Sequence, residues 1–127
     1  MNHWIESSDK DFDAVDVLYY GKQYSHSLFF GHLALEKLFK AIYAKSNQLK
    51  PEAPKIHNLV RLSELCHIKL DNEMIEHLLL INTFNMEARY EHIKTDFNKL
   101  CTREFTLTQI NLIKEIRKWL KEVLIRK

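Results

Sequence analysis

His32 and Glu36 stand four residues apart, a spacing that puts both side chains on one face of a helix and could hold a divalent metal. A metal centre needs a third ligand, and none is evident in the sequence, so no metal and no cofactor are expected. Lys37, Lys40 and Lys45, followed by Lys50 and Lys55, make the end of the same stretch and the next loop basic. Such a run is ordinarily a solvated face; it is also a place for the phosphate of a nucleotide or RNA to land. Cys66 and Cys101 belong to no C-x-x-C pattern and read as buried or free thiols of a reducing cytoplasm.

The element that must position His32 and Glu36 runs from Tyr24 to Lys45. Its apolar residues fall at Tyr24, Leu28, Leu35, Leu38, Phe39 and Ile42, the spacing of a helix with a wide apolar stripe. At 1.5 Å per residue this helix spans roughly 33 Å, the width of a small domain. Ser27, Gly31, Ala34 and Ala41 form a second stripe of small residues, which lets another backbone come close. Two faces that both want partners suggest a bundle core, with a subunit interface open as a use for one of them.

Composition supports an all-α chain. Of 127 residues, only two are glycine and two proline, fewer than the turns of a sheet protein would need. Apolar content of 46% and charged content of 28% are ordinary for a globular chain, and one domain over 1–127 is the simplest division. A net charge of +2 falls short of the basic excess of a dedicated nucleic-acid module. No apolar run approaches the 18 or so residues of a membrane span, and the start, MNHWIESSDKDF, lacks the basic and apolar parts of a signal peptide. A cytoplasmic protein without membrane contact is expected.

Along the chain, Trp4, Ile5, Phe12, Val15, Leu18 and Tyr19 mark a first helix over residues 4–20, with Glu6, Asp9, Asp11, Asp13 and Asp16 on its other face, toward its N-terminus. Gly21 breaks the pattern, so the first two helices should be antiparallel neighbours. SNQLKPEAPK, with both prolines, reads as a loop. A short helix is expected over residues 56–66, a break at 67–70, and a further helix from Asp71 or Asn72 through Met86. The stretch 88–103 lacks clean periodicity and reads as an irregular connection with at most one extra turn. Thr106 and Gln109 have capping-box spacing at the start of the last helix, whose stripe is Leu107, Ile110, Ile113, Ile116, Leu120 and Val123. The expected architecture is an up-and-down bundle of four main helices plus one short helix.

Four pieces in this order resemble the HEPN domain family. They are a tryptophan opening with DAVDVLYYGKQYSHSLFFGHLALEKLFKAIYA, whose end carries Glu36, Lys37, Lys40 and Ala41 in an E-K-x-x-K-A pattern; Ile56-His57-Asn58-Leu59; Ala88-Arg89-Tyr90; and a long closing helix. The resemblance covers nearly the whole chain. It implies a small helical bundle that forms homodimers, often beside a minimal nucleotidyltransferase in a toxin–antitoxin pair, and in many members a metal-independent cleavage of RNA. The family's nuclease motif is an arginine and a histidine with four to six residues between them. The histidine takes a proton from a ribose 2′-hydroxyl and the arginine stabilises charge on the phosphate.

At the matching place this chain has Arg89-Tyr90-Glu91-His92, with only two residues between. On a helix the pair still shares a face, while Glu91 beside it repels an incoming phosphate. A purely structural reading has Tyr90 packed in the bundle end and Arg89 on helix C-terminal carbonyls or Glu87. Arg61 and His67 have five residues between them but lie in the third helix, the wrong place for the family, and are taken as coincidence. His57 reads either as a cap-region residue bonded to a loop carbonyl or as a contact to a phosphate or partner.

The resemblance therefore implies a dimeric binding module, partner of a separately encoded minimal nucleotidyltransferase in a toxin–antitoxin or nucleotide-binding system. Tyr90, His57, Lys37 and Lys40 are its expected contacts to nucleotide, RNA or partner. The alternative is a metal-independent ribonuclease toxin using Arg89 and His92; a helical scaffold without nucleotide chemistry is the third reading. The shortened motif places a binding module ahead of an enzyme.

Overall fold

The computed structural model describes residues 2–49, 52–85 and 91–126. Six helices follow one another with no strand among the described residues: α1 (Asn2–Tyr20), α2 (Tyr24–Ser46), α3 (Leu59–Leu65), α4 (Asn72–Asn82), α5 (Glu91–Leu100) and α6 (Arg103–Arg126). The all-α expectation holds. α2 is central, with α1, α3, α4, α5 and α6 all packed on it.

The α1–α2 turn closes by backbone bonding. Gln23 N–H donates to the Leu18 carbonyl at 2.8 Å and Lys22 N–H to the Tyr19 carbonyl at 3.0 Å, the paired 6→1 and 5→2 bonds of a Schellman motif. The residue in the left-handed conformation is Lys22, at φ 62°, one position after the glycine that the sequence pattern singled out. α3 ends the same way around His67, at φ 58°, with Ile68 N–H on the Ser63 carbonyl and His67 N–H on that of Glu64.

The small residues of α2 are used inside the chain. Ser27 Oγ donates to the Val15 carbonyl of α1 at 2.8 Å, and Ser8 Oγ returns a 2.7 Å bond to the Ala34 carbonyl of α2. A Cβ on Gly31 would lie 2.8 Å from Ile113 Cδ1, so the missing side chain is what lets α6 approach here. Ser27, Gly31, Ala34 and Ala41 are all buried. The second face of α2 thus serves helix packing within one chain.

The acidic residues of α1 work differently from the expectation. The helix starts at Asn2 and its first turn holds no acid; the aspartates instead meet cations of neighbouring helices. Asp9 pairs with Arg117 and Lys121, Asp16 with Lys114, and Asp11 with Lys37 at 2.6 Å. Arg117 also lies over the Phe12 ring at 4.5 Å.

Three boundaries move from their expected places. α3 begins at Leu59 rather than 56, because Asn58 Oδ1 caps it by accepting from Val60 N–H and Arg61 N–H. α4 ends at Asn82 instead of reaching Met86, which lies outside the described residues. It starts as expected, with Asp71 accepting from Met74 N–H at 2.8 Å. α6 starts at Arg103, with Thr102 Oγ1 accepting from Phe105 N–H at 3.1 Å; Thr106 and Gln109 are buried within it and form no capping box.

The expected irregular connection over 88–103 contains a ten-residue helix, α5. Phe97 anchors it, stacked on Phe84 with centroids 5.7 Å apart. Cys66 and Cys101 are both buried and are not joined in a disulfide. Among the described residues no helix is long and apolar enough to cross a membrane.

Candidate functional site

Burying charge in a helix stripe is costly unless partners are supplied. α2 nevertheless buries His32, Glu36 and Lys40 on successive turns, with relative exposures of 0%, 4% and 7%. The residue that completes this row comes from the stretch before α3. His57 Nδ1 donates to Glu36 Oε1 at 2.8 Å, and Lys40 Nζ donates to Glu36 Oε2 at 3.1 Å. Both carboxylate oxygens of Glu36 are therefore engaged. Lys40 Nζ also sits 5.4 Å from the centre of the Trp4 ring, so α1 covers the cation from the other side.

His32 holds the backbone of the same residue. Its Nε2–H donates to the His57 carbonyl at 3.0 Å, leaving Nδ1 as a bare acceptor, buried and without a protein partner. Burial holds the His32 pKa below its ordinary 6.5, against the opposing pull of Glu36, so the ring is neutral. His57 is thus fixed at its carbonyl by one α2 side chain and at its ring by another. Because Nδ1 faces Glu36, Nε2 is the outward nitrogen of a side chain that remains 57% exposed. A carboxylate-held imidazole of this kind presents one oriented ring nitrogen to whatever approaches.

The other expected site residues are distributed as follows. Lys37 is committed to Asp11, and Lys40 is buried in the Glu36 pair, so neither belongs to a solvated basic face. Lys45 donates to the Leu124 carbonyl at 2.6 Å, where it caps the end of α6. Arg61 is engaged with Glu64 at 3.1 Å, and His67 closes α3. Arg89 and Tyr90 lie outside the described residues, as does the side chain of His92. The His92 backbone is in the first turn of α5. His32 and Glu36, spaced for a metal, serve His57 instead, and among the described residues no three His, Cys, Asp or Glu side chains are grouped to hold one.

The Glu36–His57 contact was not anticipated from the sequence. Its signal was a Glu–Lys pair at i, i+4 on a helix whose residues at those turns are, Lys37 aside, apolar. Opposite charges in such a stripe imply that something polar must cover them.

A family model for the HEPN domain matches residues 1–123. The chain belongs to the HEPN domain family. No match was found among curated proteins or among solved structures. Membership makes this HEPN chain a helical module related to nucleotides or RNA, and the Glu36–Lys40–His57 cluster joins the first and second of the four sequence pieces that carry the likeness.

Proposed function

We propose that this HEPN chain acts as a dimeric, cytoplasmic binding module whose partner is a separately encoded minimal nucleotidyltransferase. The observation that carries the reading is the departure of Arg89-Tyr90-Glu91-His92 from the family's nuclease spacing, in a chain matched by the HEPN model over nearly its full length. With two residues between arginine and histidine, and a glutamate between them, the pair is poorly suited to gather an anionic phosphate. The chain also supplies no paired-aspartate transferase pattern of its own, so transferase chemistry would come from the partner. Tyr90 and His57 are the contacts proposed toward it or toward a nucleotide; Lys40 acts through Glu36 to fix the His57 ring, and Lys37 is held by Asp11.

One observation favours a ribonuclease as the second reading. His92 opens α5, and the first turn of a helix offers unpaired backbone N–H groups to a phosphate. The readings separate in one experiment: purified protein incubated with a mixed RNA pool in EDTA, beside Arg89→Ala and His92→Ala. The binding-module reading expects intact RNA in all three. Cleavage by the unsubstituted chain alone would make it a metal-independent ribonuclease. Light scattering after size exclusion checks the dimer, and a monomer at high concentration would count against it.

A further inference from the structure

Two adjoining cavities lie where the α1–α2 turn meets the start of α6, separate from the His57 cluster. One, of about 190 Å³, is lined by Tyr19, Tyr20, Lys22, Tyr24 and Arg103. The other, of about 290 Å³, shares Lys22 and Tyr24 with it and adds His26 of α2 and Asn98 of α5. Together they make a space on the scale of a small-molecule site.

The lining is aromatic and basic. Tyr19 forms an aromatic floor, with the Tyr20 ring 5.4 Å away at 72° and the Tyr24 ring 5.6 Å away at 49°. Tyr20 is 80% exposed, so one ring is open to solvent at the edge of a packed aromatic cluster. Two cations flank it. Arg103 lines the smaller cavity beside Tyr19. Lys22 has no ion pair among the described residues, and the Schellman closure fixes its backbone in place. The N-cap of α2, Gln23, gives its helix no side-chain cap, so backbone N–H groups at this end add to the positive side of the site.

Aromatic faces suit a nucleobase, and cations beside them suit its phosphate. We propose that this pocket binds a nucleotide unit, its base stacked on Tyr20 and its phosphate held by Lys22 and Arg103. The proposal rests on the nucleotide-related reading of the chain for its ligand class and assigns that ligand a place. The unit can come from a free nucleotide or from single-stranded RNA, since both present the same base and phosphate.

The test measures binding of the full chain to AMP and ATP by calorimetry, and to a labelled six-nucleotide single-stranded RNA by anisotropy. Inorganic phosphate is the control without a base. Tyr20→Ala should weaken binding about tenfold or more, from loss of one stacked base. Lys22→Gly should also weaken it, while raising Tm by about 3 °C because glycine adopts the left-handed backbone freely. That opposite movement separates lost binding from lost folding. Lys10→Ala, which removes a distant exposed charge, should leave the affinity unchanged. RNA bound with AMP and ATP inert would assign the pocket to a nucleic-acid strand; AMP or ATP bound with the same sensitivity to Tyr20 would assign it to a free nucleotide. Binding that ignores both Tyr20→Ala and Lys22→Gly would overturn the site while leaving a nucleotide-related function standing. No binding of any of these probes would overturn the site too, whereas the module reading is judged separately by the dimer and by co-purification with a nucleotidyltransferase.

Discussion

His32 is buried as a neutral ring, and its neighbours explain why that matters: Glu36 one turn along the helix, His57 across the loop and Lys40 a further turn away. Its folded pKa lies below the ordinary 6.5. In acid the unfolded chain therefore takes up the proton first. The contribution of a neutral His32 is complete above pH 6.5 and is lost as pH falls toward the folded pKa, by at most about 1.4 kcal/mol per pH unit. His32→Gln keeps an N–H donor for the His57 carbonyl and removes the titration. Urea midpoints at pH 7.5 and 5.5 should fall more for the natural chain than for the variant, and equal falls would mean that His32 does not govern acid sensitivity. Glu36 carries the opposite burden. It is the shared acceptor for His57 and Lys40, and truncating one member of such a buried group strands the others without partners.

At the scale of the elements, α2 packs closely against α6 at Gly31. Alanine there gains about 1 kcal/mol of helix propensity but drives its Cβ against Ile113 Cδ1, an overpacking worth about 1–3 kcal/mol. Gly31→Ala should therefore be neutral or destabilising by up to about 2 kcal/mol. Ile113→Val alone, which removes Cδ1, should cost about 0.5–1.5 kcal/mol. In the double variant the two costs should fall short of their sum by about 1 kcal/mol, measured by urea denaturation; strict additivity would place the contact elsewhere. These packing faces were readable in advance. Leu28, Leu35, Leu38 and Phe39 sit in the core as their spacing implied, and the small residues of α2 do accept close neighbours. α5 was hidden because only four apolar residues mark its face and the end that follows it (Ile93, Phe97, Leu100 and Cys101), at helical spacing but diluted by Lys, Asp, Asn and Thr. The start of α6 was misplaced because Thr102 and Thr106 both offer an N-cap hydroxyl, and only tertiary packing buries the second. The site was less legible than the fold: His57 and Lys40 were singled out, but the carboxylate that joins them was read as half of a metal spacing. Sequence periodicity finds faces, whereas a contact across 21 residues between a helix and a loop leaves no local pattern.

For the whole molecule, the ranges of its contacts differ sharply between helices. α1 and α2 meet across a three-residue turn and are tied by Ser8 and Ser27, whereas the latch of Arg117 and Lys121 on Asp9 joins residues 108 and 112 positions apart. Closing a long loop costs more chain entropy than closing a short one, so the hairpin of α1 and α2 should form early and α6 should dock late. In stopped-flow denaturant jumps, Val15→Ala should slow folding, while Ile116→Val should chiefly speed unfolding. The reverse pattern would place the nucleus on α6. On a ribosome, this division means that the hairpin of short-range contacts is made before the helix it waits for. The α1–α2 hairpin emerges before α6 does, and the α6-facing side of α2 stays uncovered until α6 has been made and can dock.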